Sequence, residues 1–473
     1  MTELKMKIKK PGISDRILLF KHSGLNLIVI LGMVLRRGII NMLRDIKHFP
    51  WILDLLKVNR LMKKLSAGRT GNYRKSVCLV LSQVTVDVVE LLEGIFHHKD
   101  RLIIHEDMVP PEILRAMGLK PWMPELLGML LPMLEPSAME KYIDAAENEG
   151  VPPDLCSLPK ATMGLAIRGL IPAGQAIVTS NLPCDGGMNS YALIEKKLKL
   201  PTFRLDIPYN FYNEEAEKYF AGELLRMISW LEDKTIGKMD WNLLREICDE
   251  RNRMVEHELD LWDIISRRPA PISAEAVYIS HLWGFNVFPG RKSSTELFRK
   301  IVLLGKENYE KGIAAVPDEK YRALLWNPPT MHFIDLFVWA EQAYGVSLIM
   351  DSMSYNRLPF IDTSTKESML LGLGRNIMQG PMARHTRGPM ENYFDDMFHI
   401  VKKFDIDMIW LAGHIGCKNT QALNGILREK ARKIGLPVLI IDYDLSDTRI
   451  MTSKGMMLQV DHFMENVMNV KRK

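Results

Sequence analysis

Two cysteines, Cys184 and Cys417, stand in loops with the same kind of sequence on either side. Cys184 lies in the loop NLPCDGG, between the short β-type run AIVTS and the helical stretch MNSYALIEKKL, and a second β-type run, TFRLD, then ends at Asp206. Cys417 lies in the loop HIGC, between DMIWLAG and the helical stretch NTQALNGILREKARKIG, and the run VLIID then ends at Asp442. Each copy reads as a strand, a loop with a cysteine, a helix and a strand.

The position of these loops indicates what the two thiols could do. In an open parallel sheet, the loop that leaves the carboxyl end of a strand lies at the crevice where ligands bind. A thiol near a helix N-terminus meets the positive end of the helix dipole, which favours the thiolate, the form that attacks substrates and binds metals. Free cysteine is also among the most buried residue types, so a purely structural role for both thiols stays open.

The elements around the cysteines predict the fold class. A crossover helix between two short buried strands is typical of a parallel βαβ unit. Two separated units predict an α/β protein with two doubly wound parallel-sheet domains of the Rossmann or flavodoxin type. A helical stretch from Asn213 to Arg268 separates them. We expect a basic helical N-terminal region (residues 1–95), a first α/β domain with the helical connector (96–268) and a second α/β domain (269–473).

The N-terminal region differs chemically from the rest of the chain. The first 75 residues contain 17 lysines and arginines but only 4 aspartates and glutamates. Leu25 to Leu35 is an apolar run of 11 residues, short of the roughly 20 that cross a bilayer, so we expect no integral membrane span. Two roles stay open: amphipathic helices packed on the body with solvated basic faces, and docking to an acidic partner or a membrane surface. No nucleic-acid-binding module is recognisable.

The other cysteines and the histidines predict little chemistry. Cys78 lies in an apolar, strand-like run and Cys248 in a charged helix, and we interpret both as structural. His97, His98 and His105 are more typical of surface or core histidines than of ligands. Five cysteines in 473 residues are too few for a disulfide scaffold, which favours a reducing compartment, the cytoplasm. The chain has no GxxxxGK[ST] loop, no CxxC pair and no HExxH motif, which argues against a P-loop nucleotide hydrolase and common zinc sites.

Three longer stretches carry a resemblance to a known family. They are DLCSLPKATMGLAIRG with Cys156, SNLPCDGGMNSYALIEKKLKLPTFRLDIPYN with Cys184, and IWLAGHIGCKNTQALNGILREKARKIGLPVLIIDYDLSDTRI with Cys417. YRALLWNPP at residues 321–329 and the closing D-x-x-D-x-R agree as well. The chain resembles the 2-hydroxyacyl-CoA dehydratase and benzoyl-CoA reductase family, in particular the D-component of 2-hydroxyglutaryl-CoA dehydratase. The resemblance extends from about Asp107 to the C-terminus and excludes the basic region.

The resemblance implies an oxygen-sensitive iron–sulfur enzyme subunit. In the family, three cysteines of one subunit hold a 4Fe–4S cluster, and the matching residues here are Cys156, Cys184 and Cys417. The implied partners are a homologous second subunit, an ATP-dependent iron–sulfur activator protein and an acyl-CoA substrate. The activator supplies one low-potential electron, and the 2-hydroxyacyl-CoA then loses water through a ketyl radical. The missing P-loop agrees with ATP hydrolysis on another polypeptide.

The resemblance leaves two alternative functions open, and the sequence departs from the family pattern at one position. The chain could be a benzoyl-CoA reductase-like subunit that reduces an acyl-CoA, or a non-catalytic, cluster-bearing electron-transfer partner. Asp107 stands where dehydratase catalytic subunits carry a serine, whereas Pro124-Glu125 matches the proline–glutamate pair of the family. We take Glu125 and Asp107 as candidate catalytic residues. Glu125 could act as a base if it faces the cluster cavity, or it could be a solvated residue at a helix start.

Overall fold

The computed structural model describes residues 12–67, 69, 71–209, 211–326, 331–355 and 359–473. The strands are β1 (Leu102–His105), β2 (Lys120–Trp122), β3 (Ala176–Ser180), β4 (Thr202–Leu205), β5 (Tyr321–Trp326), β6 (Val346–Asp351), β7 (Met408–His414) and β8 (Val438–Tyr443). The helices are α1 (Ile13–Arg37), α2 (Ile39–His48), α3 (Trp51–Leu55), α4 (Val58–Ser66), α5 (Gly71–His97), α6 (Pro111–Ala116), α7 (Glu125–Leu134), α8 (Glu140–Asn148), α9 (Ser157–Ile167), α10 (Asp185–Leu198), α11 (Glu214–Lys234), α12 (Trp241–Ile265), α13 (Ala274–His281), α14 (Lys292–Glu310), α15 (Leu336–Tyr344), α16 (Lys366–Gln379), α17 (Pro381–Thr386), α18 (Glu391–Lys403), α19 (Lys418–Lys433) and α20 (Ser453–Asn466).

The described strands form two four-stranded parallel sheets with the same topology. The strand orders are β2-β1-β3-β4 and β6-β5-β7-β8, and every pair is parallel. Strands β3 and β7 are buried along their whole length, as expected when helices cover both faces of a sheet. In each sheet the chain changes direction between the two central strands, which is where doubly wound folds bind ligands. The predicted fold class is confirmed.

Both predicted βαβ units are present. In the first unit, α10 connects β3 to β4, and in the second, α19 connects β7 to β8. Helices α11 and α12 form the predicted connector. The cysteine loops therefore follow the carboxyl ends of β3 and β7, at the ligand-binding edge of each sheet.

The interpretation of the segment around Cys78 as strand-like is wrong. Cys78 lies in α5, a helix of 27 residues. An unbroken apolar run does not distinguish a strand from a buried helix, and here the length decides. Helix α5 is apolar on several sides because α1, α4, α13 and α14 all pack against it.

Helix α1 is longer than the 11-residue apolar run suggested. It spans 25 residues, and its segment Arg16–Arg37 is long and apolar enough to cross a membrane, with a mean hydropathy of 1.9 over its most apolar stretch. The prediction underestimated the segment because apolar residues resume on the N-terminal side of Lys21. Helix α1 nevertheless lies along the body of the protein, where His22 Nδ1 is 2.8 Å from Ser82 Oγ on α5.

Candidate active site

Each of the three cysteines predicted to act together stands directly before a helix. Cys156 precedes α9, Cys184 precedes α10 and Cys417 precedes α19. The first backbone N–H groups of a helix have no partner within it and are free to donate to a ligand. Cys184 uses one of them, since its Sγ accepts a hydrogen bond from the backbone N–H of Gly187 at 3.4 Å. The helix starts thus bring thiols and amide donors together.

Close backbone contacts bring the three cysteine loops to one place. A Cβ at Gly416 would lie 2.4 Å from Cys156 Cα, so the Cys417 loop rests directly on the backbone of Cys156. A Cβ at Gly186, two residues after Cys184, would lie 3.0 Å from Pro159 Cγ of α9. The Cys156 segment therefore lies between the other two loops and contacts both.

Burial dominates the electrostatics of two of these thiols, Cys156 and Cys184. It raises the pKa of Cys156 well above the ordinary value, and the neighbouring Asp444, Cys417 and Cys184 add to that rise. Burial also raises the pKa of Cys184 to about 11, although the Gly187 N–H acts in the opposite direction. At both cysteines the backbone N–H groups of the helix start favour the thiolate, as expected, but burial outweighs them. A positively charged group bound among the thiols would reverse this balance.

The chemistry of this donor set fits an iron–sulfur cluster. The described residues contain no group of three or more His, Cys, Asp or Glu side chains placed around a single metal ion. In a 4Fe–4S cluster each thiolate binds its own iron atom, so the ligating cysteines surround the cluster without meeting at one point. Thiols next to backbone N–H donors are the groups that such a cluster requires.

Glu125 is buried beside Cys184. It is the first residue of α7, and only 8% of it is exposed. A Cβ at Gly187 would lie 3.8 Å from Cys184 Sγ and 4.0 Å from Glu125 Oε1, so the thiol and the carboxyl group both border the space that a side chain at residue 187 would fill. Burial, and then the charge of Asp107, raise the pKa of Glu125 to about 8. The alternative of a solvated helix-start residue is wrong.

A second buried glutamate, Glu106, joins this group and was missed by sequence reasoning. It follows β1, accepts a hydrogen bond from Ser180 Oγ at 2.8 Å, and accepts another from the backbone N–H of Met108 at 3.2 Å. Burial raises its pKa well above the ordinary value, and Glu125 and Asp107 add to this effect. Its only sequence signal was its position next to Asp107.

His414 is the second residue that sequence reasoning missed. It ends β7, and its Nε2 atom lies 2.9 Å from Cys156 Sγ. Its Nδ1 atom makes no hydrogen bond and lies 3.8 Å from Asp444 Oδ2. The sequence did contain a signal for His414. It is the first residue of the loop HIGC, three residues before the candidate ligand Cys417.

The closing D-x-x-D-x-R motif joins the two α/β domains beside the site. Ser446, inside the motif, donates its backbone N–H to Ser157 Oγ at 3.0 Å and its hydroxyl group to the Gly128 carbonyl at 2.8 Å. Arg449 pairs with Asp144 of α8 at 2.6 Å. The motif therefore fixes the second domain against α7, α8 and α9. Of the stretch YRALLWNPP, residues 321–326 form β5 and residues 327–329 lie outside the described residues.

A polar cavity of about 80 Å³ opens next to Asp107. It is also lined by Glu112, Arg251 and Asn376. Asn376 is 5% exposed, yet neither its Oδ1 nor its Nδ2 atom has a hydrogen-bond partner. A buried amide without partners costs stability unless a ligand or water satisfies it, so this cavity is suited to a polar group.

Comparison with known proteins places this chain in a family. A sequence profile of "2-hydroxyglutaryl-CoA dehydratase, D-component" matches residues 108–467, about three quarters of the chain. The chain belongs to this family. It is 21% identical over 377 residues to lactoyl-CoA dehydratase subunit alpha of Anaerotignum propionicum, covering 72% of this chain and 85% of that protein. It is 22% identical over 357 residues to (R)-phenyllactyl-CoA dehydratase alpha subunit of Clostridium sporogenes, covering 72% and 83%. A benzoyl-CoA reductase subunit of Thauera aromatica is 21% identical over 344 residues, covering 68% and 78%.

Membership of the 2-hydroxyglutaryl-CoA dehydratase D-component family confirms the predicted resemblance. The chain is a subunit of a dehydratase- or reductase-type enzyme. The match includes all three cysteines and Glu125, and it begins one residue after Asp107. Helices α1 to α5 lie outside it.

Gly416→Ala should destabilise the fold at the contact between the Cys417 loop and Cys156. The added methyl group would meet the Cys156 backbone, which cannot rotate away as a side chain can. We expect a loss of about 3 kcal/mol or more in the free energy of unfolding, measured by urea denaturation. Gly425→Ala on α19 is the matched control, because nothing lies within 4 Å of its Cβ position, and it should stabilise the protein by about 0.5–1 kcal/mol. Equal stability of the two variants would contradict the close contact.

Glu125→Gln should change how stability depends on pH. The pKa of Glu125 is raised from 4.5 to about 8 by folding, so its contribution to stability is complete below pH 4.5 and is lost as the pH rises through about 8. Glutamine cannot ionise, so the stability of the variant does not fall with pH for this reason. We expect the melting temperature of the variant relative to wild type to rise by a few degrees between about pH 6 and pH 9, in anaerobic thermal unfolding of cluster-free protein. A constant difference across this range would show that Glu125 titrates normally.

Proposed function

We propose that the chain is the cluster-bearing subunit of a 2-hydroxyacyl-CoA dehydratase that removes water from a 2-hydroxyacyl-CoA. The observation that carries the proposal is the convergence of the Cys156, Cys184 and Cys417 loops at three helix N-termini. These three residues would hold a 4Fe–4S cluster. When bound, the cluster would supply one-electron chemistry and a Lewis-acidic iron.

The protein around the cysteines would prepare the site for that cluster. Thiols release their protons when they bind a metal, so the three cysteines would hold the cluster as thiolates. The Gly187 N–H already points at Cys184 Sγ and would stabilise the negative charge that forms there. His414, at 2.9 Å from Cys156 Sγ, could donate a second hydrogen bond to sulfur.

Glu125 would act as the proton-transfer residue. A general acid or base works best when its pKa lies near the working pH, and burial gives Glu125 a pKa of about 8. In its ionised form, the Glu125 carboxylate would take the β-proton from a substrate bound next to the cluster site and become the neutral carboxylic acid. Asp107 would hold the pKa of Glu125 high through its own negative charge.

The polar cavity beside Asp107 would receive the acyl part of the substrate. It adjoins the Glu125 side of the site through Asp107, and the unpartnered Asn376 amide could bind a substrate carbonyl or hydroxyl group. The relatives are each named as one subunit of a larger enzyme, so we propose a homologous second subunit as partner. An ATP-driven activator protein would deliver the electron. We assign this chemistry to the cytoplasm, where thiols stay reduced.

The test is an anaerobic product analysis. The chain, its second subunit and the activator are purified together and supplied with ATP and a panel of 2-hydroxyacyl-CoA esters and benzoyl-CoA, and the products are identified by mass spectrometry. The proposal expects an unsaturated acyl-CoA that has lost water. Reduction of benzoyl-CoA without dehydration would instead assign the reductase activity. A subunit that binds no CoA ester in a thermal-shift assay would be an electron-transfer partner.

A further inference from the structure

Within the part of the chain that the structure describes, helices α1 and α2 leave a long apolar surface exposed. On α1 it consists of Ile13, Ile17, Phe20, Ile28, Leu31 and Leu35, which are between 51% and 81% exposed. We call these residues the apolar stripe. Most are spaced three or four residues apart and therefore share one face of a helix about 37 Å long. Helix α2 continues the surface with Ile40, which is 84% exposed. Soluble proteins rarely expose so large an apolar patch unless it binds something.

The opposite face of α1 is already occupied by the protein body. His22, Asn26 and Met33 are buried there. The Asn26 side chain donates a hydrogen bond to Asn59 Oδ1 at 2.8 Å, and Arg36 pairs with Glu93 of α5 at 2.7 Å. A helix held along its length in this way lies on the surface of the fold. Its outward face can meet a flat apolar layer without any part of the protein unfolding.

Among the side chains that the structure describes, the exposed and unpaired charges beside the stripe are basic, and Asp15 is the one acidic residue in the sequence of α1. Arg16, Lys21 and Lys47 are exposed, and none of them forms an ion pair with any residue that the structure describes. Nearby Asp45 is buried and already paired with Arg37. The first 75 residues carry 17 basic against 4 acidic residues. An apolar strip with basic side chains on its flanks matches the boundary between acyl chains and anionic headgroups.

We propose that the apolar stripe docks the folded protein peripherally on an anionic lipid bilayer. The aliphatic side chains and Phe20 would enter the interface, while Arg16 and Lys21 would contact lipid phosphates. The stripe lies outside residues 108–467, so contacts that family members share do not explain it. A protein partner would have to offer a surface that is both apolar and uniformly acidic. The proposal is independent of the function proposed above.

Vesicle co-sedimentation of the full chain tests the proposal. Wild type should bind vesicles with about 30% phosphatidylglycerol at least about tenfold more tightly than phosphatidylcholine vesicles, and less tightly at high salt. The double variant Phe20→Glu/Ile28→Glu should bind the anionic vesicles at least about tenfold more weakly. The matched control, Leu303→Glu/Leu458→Glu, changes two residues that are 50% and 53% exposed on other helices and should bind as wild type does.

A second variant keeps the test valid if the first one misfolds. Arg16→Gln/Lys21→Gln leaves the stripe intact and should reduce binding to anionic vesicles by about tenfold or more. The proposal is overturned if wild type stays in solution with both kinds of vesicle, or if all variants bind equally. It is also overturned if the stripe variant only lowers the mass of a protein assembly in light scattering, because the stripe would then be a protein interface.

Discussion

Cys184→Ala should lower the iron content from about four atoms to fewer than about one per chain after anaerobic purification. Cys184 provides a thiol together with a helix start, and the Gly187 N–H that now contacts its sulfur would face a methyl group. Two remaining cysteines do not hold a 4Fe–4S cluster stably. Iron and acid-labile sulfide are measured in wild type and variant prepared side by side.

Cys248→Ala is the matched control for this loss. Cys248 is also a free cysteine, but it is fully buried within α12 and packs in the second apolar cluster of the protein. The control should keep the iron content of wild type. If Cys184→Ala retains full iron, or if Cys248→Ala loses as much, the assignment of Cys184 as a ligand fails.

Glu125→Gln should reduce kcat by about 10²- to 10⁴-fold while iron content stays that of wild type. Glutamine keeps the size of glutamate and one side-chain oxygen, so the packing around residue 125 should stay that of wild type. It cannot accept a proton from the substrate. The measurement is the rate of product formation by the assembled enzyme, with iron determined on the same samples.

Glu195→Gln serves as the control for Glu125→Gln. Glu195 lies on α10, the helix that Cys184 precedes, but its side chain is 34% exposed and pairs with Arg204. It should leave kcat within about twofold of wild type, because surface ion pairs contribute little. A Glu125→Gln enzyme with unchanged kcat would remove Glu125 from proton transfer.

The βαβ units could be predicted because their signals are local. Strand β3 and the run AIVTS coincide, and both cysteine loops are followed by helical sequence and then by Leu-Pro and a short apolar run. Strands β1, β2 and β6 gave no such signal. Strand β1 has only four residues, between the end of α5 and the prolines before α6. This length is too short to show the alternation of apolar and polar residues that identifies a strand.

The parts of the site that the sequence did not predict depend on tertiary contacts. Glu106 and His414 gain their roles from the burial of their side chains and from Ser180 and Cys156, which are distant in sequence. The raised pKa values of Cys156 and Cys184 follow from burial, which outweighs the helix-start effect that a sequence reveals. For α1, the sequence gives apolar residues on two faces, and only the fold shows which face the body covers.

The most direct test of the three-cysteine site is the stoichiometry of the wild-type protein. The chain is purified under strict exclusion of oxygen, and iron, acid-labile sulfide and thiols that react with a labelling reagent are counted on one sample. We expect about four iron and four sulfide per chain, with Cys156, Cys184 and Cys417 protected from labelling until the iron is chelated. A protein with less than about one iron per chain, in which all three thiols react at once, would contradict an iron–sulfur site.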